Sequence, residues 1–138
     1  MARASVLILA LFGFLLISGC ADKSPAAALR ARVQLADKAA DKIEIYSVSH
    51  VPTYLSTRVK SERVYQKNSR KYRLLVADLI SALEYKHAPF EMSDKWVVFK
   101  DQGRSILRLA YASRYRMFSA EKVEGTFLLP EEGRRLVE

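Results

Sequence analysis

Lys95-Trp96-Val97-Val98-Phe99-Lys100-Asp101-Gln102-Gly103-Arg104-Ser105-Ile106-Leu107-Arg108-Leu109-Ala110-Tyr111-Ala112 is the stretch that decides the fold. It holds two runs rich in β-branched and aromatic residues, Lys95 to Lys100 and Ser105 to Ala112. Between them, Asp101-Gln102-Gly103 is a short loop with a glycine placed for positive φ, which predicts an antiparallel hairpin. In such a hairpin Val97 and Phe99 share a face with Leu107, Leu109 and Tyr111, because strand side chains alternate.

Upstream of the hairpin, Tyr72, Leu75, Val76, Leu79, Ile80 and Leu83 recur at spacings of three and four. That stripe predicts an amphipathic helix facing a core. Asn68 or Ser69 is placed to cap its start, and His87-Ala88-Pro89 to end it. Earlier still, Ile43-Glu44-Ile45-Tyr46-Ser47-Val48 alternates as a strand, with Ile43 and Ile45 on one side and Glu44 and Tyr46 on the other. Val51-Pro52-Thr53 interrupts it, and a weaker strand pattern runs through Tyr54 to Arg63. Downstream, Arg114 to Ser119 and Gly125 to Leu129 form a further expected strand pair. A short helix over Pro130 to Val137 follows, with Glu131 and Glu132 early and Arg134 and Arg135 late, as the helix dipole favours. The expected fold is α+β, one main amphipathic helix packed on a small antiparallel or mixed sheet.

The segment before Ile43 is alanine and charge. Ala26 to Val33 has high helix propensity, yet its surroundings offer only Leu29, Val33 and Leu35 as large apolar residues. The expectation is an Ala-rich tether, helical from Ala26 to Ala40, with a helix docked on the domain as the competing case.

The first 20 residues carry a different signal. Arg3 precedes an apolar run from Val6 to Ile17, and Ile17-Ser18-Gly19-Cys20 follows with the only cysteine of the chain. A basic start, a short apolar segment and small residues are the order of a secretory signal peptide, and the run is short of the roughly 20 apolar residues of a membrane span. The tetrad resembles the lipobox of bacterial lipoproteins. The resemblance implies cleavage before Cys20 and lipid on its thiol and amine. In enterobacterial members the residue after the cysteine sorts the protein, and Ala21 there implies the outer membrane, facing the periplasm, rather than the inner membrane. The expected organisation is a signal peptide over residues 1–19, a lipidated N-terminus and tether or helix over 20–41, and one small domain over 42–138. With no second cysteine, that domain stands without an internal disulfide.

The processed chain carries 22 basic against 15 acidic residues, a net charge of +7 once Arg3 is removed. From Arg58 to Arg73, seven basic residues, Arg58, Lys60, Arg63, Lys67, Arg70, Lys71 and Arg73, face one acidic residue, Glu62, with Tyr65 and Tyr72 interleaved. Arg108, Tyr111, Arg114, Tyr115 and Arg116 form a second basic-aromatic group. These are the candidate interaction residues. They suit an acidic protein, an anionic envelope polymer or lipid headgroups; the envelope location argues against nucleic acid.

Catalytic signals are sparse. His50 has serines beside it but no strand–turn–helix context for a nucleophile, and His87 is explained as a helix-end cation. Two histidines and one cysteine make no metal-ligand spacing, and the five scattered glycines make no phosphate loop. No cofactor or metal is expected, and no catalytic residue is assigned. An enzyme would have to gather groups such as His50, Asp78, Glu84 and Glu91 in one pocket. The sequence thus predicts a non-enzymatic envelope lipoprotein presenting a small basic domain to a protein partner. A structural lipoprotein on an anionic polymer or headgroups is the alternative, and a small hydrolase a more distant one.

Overall fold

The computed structural model describes residues 24–48, 59–85 and 93–138. Helix α1 spans Pro25–Ala39, strand β1 Lys42–Val48, β2 Val59–Gln66, helix α2 Arg70–Ile80, β3 Leu83–Tyr85, β4 Lys95–Asp101, β5 Arg104–Ala112, β6 Met117–Ala120, β7 Thr126–Leu128 and helix α3 Glu131–Val137. Among the described residues, the seven strands form one sheet in the order β2-β1-β4-β5-β6-β7-β3, antiparallel at every pairing. The fold is α+β, with three helices packed against this sheet.

The hairpin forms as its loop predicts. Asp101 pairs with Arg104, and both residues between them have positive φ, 48° at Gln102 and 81° at Gly103. That backbone matches the twist of the flanking strands. Val97, Phe99, Leu107, Leu109 and Tyr111 lie together in the core beside Ile43 and Ile45. Tyr65, Phe118 and Phe127 extend the same apolar face across the sheet.

The helices cover that face. Helix α1 starts at a Ser24 cap, whose hydroxyl accepts from Ala27 N at 3.2 Å, with Pro25 in the first turn. Leu29 and Val33, four apart, are fully buried in the core. Of the two roles weighed for residues 26–40, tether and docked helix, the structure takes the second. Two leucine-class side chains and Ala36 are enough because a helix buries only a stripe. The Tyr72 hydroxyl donates to Asp37 Oδ1 at 2.8 Å and joins α2 to α1. Burial and that carboxylate both push the phenol above its ordinary pKa.

Helix α2 is capped by Ser69, whose hydroxyl accepts from Tyr72 N, and it buries Tyr72, Leu75, Val76 and Leu79. It stops at Ile80, well before the expected His87, because Leu83–Tyr85 leave to pair with β7. Ala82 takes the next core position, and Leu83, expected in the stripe, is exposed. Edge pairing here overrides helical spacing. The expected stop itself, His87 to Pro89, lies outside the described residues.

Strand β2 begins at Val59 and runs to Gln66, later than the Tyr54 to Arg63 expectation, whose first part lies outside the described residues. Its register shifts opposite Ile45/Tyr46, where Glu62 is the extra residue. Residues 114–116 form the turn before β6 rather than part of the strand. Helix α3 follows Pro130 with the expected charge order. No described helix is long and apolar enough to cross a membrane.

Candidate interaction surface

All three helices lie on one side, so the alternate residues of the central strands form a second face. Antiparallel pairing arranges these in rows across the sheet. One row is Val64, Glu44, Val98 and Arg108; the next is Ser61, Tyr46, Trp96, Ala110 and Ser119. Lys42 and Lys100 pair in a third.

Glu44 is 8% exposed although no helix covers it. Its carboxylate lies 2.8 Å from Lys100 Nζ and 3.1 Å from Lys42 Nζ, and it accepts the Tyr46 hydroxyl. Lys100 also donates to the Tyr46 hydroxyl at 2.6 Å and sits 5.2 Å from the ring centroid. Burial alone would raise the Glu44 pKa; Lys100, Tyr46 and Lys42 together outweigh it and bring the carboxyl down to about 2. Glu44 and Tyr46 in turn raise the Lys100 ammonium above its ordinary value. This knot holds Tyr46 and Lys100 in fixed positions on the face.

Beside it, the Arg108 guanidinium lies 5.8 Å from the Trp96 ring centroid and 3.2 Å from Glu121 Oε1. Trp96, Arg108, Ala110, Ser119, Ala120 and Glu121 line a shallow hollow of about 210 Å³. That is below the roughly 300–1,000 Å³ of ordinary small-molecule pockets. The hollow is bordered by Trp96 and Arg108 on an open sheet face.

The candidate basic residues are dispersed. Lys67 Nζ donates to Asp37 O at 2.7 Å and Lys38 O at 3.2 Å, at the C-terminal end of α1. Arg63 lies on the helix side of β2 and donates to Arg135 O and Leu136 O, both at 3.2 Å, while the Tyr65 hydroxyl donates to Leu136 O at 2.6 Å. These two cations therefore satisfy helix-end carbonyls. Arg70, Lys71 and Arg73 are exposed in the first turns of α2. Arg58 lies outside the described residues, and Lys60 is described only as backbone of β2. In the second group Tyr111 is buried on the helix side, where its hydroxyl meets Glu138 Oε1 at 2.7 Å. Arg108 is on the open face, and Arg114 and Arg116 are in the β5–β6 turn.

Glu44, Tyr46, Trp96 and Lys100 were not singled out by charge density; the alternation that placed Glu44 and Tyr46 opposite Ile43 and Ile45 was the available signal. Asp78 is used structurally, its Oδ2 accepting from Gly133 N at 2.6 Å. Glu84 is beside Gly125 at the other end of the molecule's sheet, and His50 and Glu91 lie outside the described residues, as does Cys20. Among the described residues no group of three His, Cys, Asp or Glu side chains is arranged to hold a metal ion. No protein-family model matches the chain, and no curated protein or solved structure shows significant similarity to it.

Proposed function

We propose that this chain is a lipid-anchored envelope protein whose domain acts without catalysis, by presenting its open sheet face to a protein partner. The observation that carries the reading is the pairing of aromatic and cationic side chains on that face, Tyr46 with Lys100 and Trp96 with Arg108. Desolvated Trp and Arg contribute most per residue at protein interfaces. Lys42, Lys100 and Arg108, set against the carboxylates of Glu44 and Glu121, leave this cluster a net positive charge that suits a partner bringing carboxylates. The likeness of Ile17-Ser18-Gly19-Cys20 to a lipobox supports the anchor, and Ala21 after the cysteine supports the outer-membrane, periplasm-facing location.

Crosslinking and pull-down from intact cells test the reading. The acylated protein is expected to yield one dominant adduct, lost on Arg108→Glu. Adduct formation unaffected by that reversal would contradict the assignment of this face. Anionic wall polymer bound through Arg70, Lys71 and Arg73, which crowd the positive end of α2, is the second reading. Polymer retention lost on reversing those three, with Arg108→Glu silent, would favour it.

A further inference from the structure

Four of the exposed large apolar residues gather at one corner of the sheet. Leu83 pairs with Leu128 across β3 and β7, and Tyr85 is two residues along on the same face. Leu128 in turn pairs with Met117, which starts β6, and Leu129 N donates to Arg116 O, tying the 113–116 turn to this corner. Leu83 is 72% exposed, Tyr115 45%, Tyr85 42% and Leu128 36%. Arg114 and Arg116 are exposed beside them, with the Arg114 guanidinium 5.7 Å from the Tyr115 ring centroid.

The chain enters the fold at the same corner. A Cβ on Gly125, the residue before β7, would lie 3.7 Å from Pro25 Cβ and 3.6 Å from Glu84 Oε1. The first turn of α1 thus sits against the β3–β7 end of the sheet, with Glu84 on the helix-covered side. Four peptide steps separate Cys20 from Ser24, a reach of at most about 14 Å. An acyl chain on Cys20 would therefore keep this corner of the sheet close to the bilayer.

We propose that the β3–β7 corner rests on the membrane, with Leu83, Tyr85 and Leu128 entering the headgroup boundary and Arg114 and Arg116 meeting anionic phospholipid. This rests on the lipid anchor at Cys20. Leucine and tyrosine are the side chains that settle at a bilayer interface, and arginines next to them add attraction to phosphatidylglycerol-type headgroups. A single anchor would leave the domain free to rotate; the corner fixes its orientation. Strand β2, six strand spacings away, then stands about 29 Å farther out, with the Trp96–Arg108 hollow accessible between.

The test uses the processed, acylated protein, whose only native thiol is blocked by its lipid. Leu83→Cys and Val64→Cys variants, each labelled with a fluorophore, are reconstituted in phosphatidylglycerol-containing vesicles bearing brominated acyl chains. The label at position 83 is expected to be strongly quenched and the label at 64 unquenched. Arg114→Glu with Arg116→Glu should reduce the quenching at 83, more at low salt than at high salt. Intact mass reports acylation separately: an unacylated product would overturn the anchor and with it this orientation. An acylated product with equal quenching at both positions would overturn the corner alone, as would a position 83 shielded in cells by a crosslinked protein.

Discussion

Lys67 Nζ lies 2.7 Å from Asp37 O, so a lysine from the most basic stretch of the chain closes the C-terminal end of α1. A cation there meets the negative end of the helix dipole and carbonyls that have no partner within the helix. Lys67→Met is expected to cost about 1.5–3 kcal/mol, the range of hydrogen bonds to charged groups. Lys71→Met, on the exposed side of α2, should stay within about 0.5 kcal/mol of wild type. Urea unfolding of the two variants checks the contrast.

Gly133 meets Asp78 at the contact between α3 and α2. An added Cβ would fall 2.9 Å from Asp78 Cβ and 3.1 Å from Leu129 Cδ1. Gly133→Ala must therefore displace packed atoms and disturb the 2.6 Å bond from Gly133 N to Asp78, a loss of about 1–3 kcal/mol. Asp78→Ala removes the carboxylate that serves the start of α3 and should cost about 1 kcal/mol. Thermal unfolding measures both.

Glu44 sets an acid limit. Its carboxyl is lowered from 4.5 to about 2 in the folded protein, so its contribution is complete above pH 4.5 and is lost as pH falls toward 2. That contribution is on the order of 3 kcal/mol. Glu44→Gln should be less stable than wild type at pH 7 and lose less on acidification. Denaturant midpoints collected between pH 7 and pH 2 test this; parallel curves for the two proteins would contradict it.

The hairpin turn carries a small strain that substitution can relieve. Gln102 has φ 48°, a conformation that asparagine and glycine tolerate better. Its contact to Asp41 Oδ2 is made by the backbone N–H and survives a side-chain change. Gln102→Asn is expected to raise stability by about 0.5 kcal/mol, readable as a higher unfolding midpoint.

The hairpin and β1 were legible because their cues are local: period-two alternation, and a glycine at the turn. The Ser69 cap was legible for the same reason. The docking of α1 was not, since Leu29 and Val33 announce a core contact only when the surface that receives them is present. Helical spacing carried Leu83 into the stripe, but a strand edge 45 residues later in the chain, at Leu128, claims it. The structural use of Arg63, Lys67 and Asp78 depends on helix ends distant in sequence, and charge density alone reads such residues as surface. The open face was half legible: alternation put Glu44 and Tyr46 opposite the core, but only strand order brings Trp96 and Arg108 next to them.

The face around Trp96 holds a partner if a probe set beside that ring captures one. A photo-crosslinking side chain at Ser119, which lines the hollow with Trp96, is placed in the acylated protein in intact cells. One dominant adduct is expected, lost on Trp96→Ala or Arg108→Glu, while a crosslinker at Lys95, on the helix side, gives none. An adduct that persists in both variants, or none from position 119 where the anchored, folded protein is abundant, would overturn the assignment.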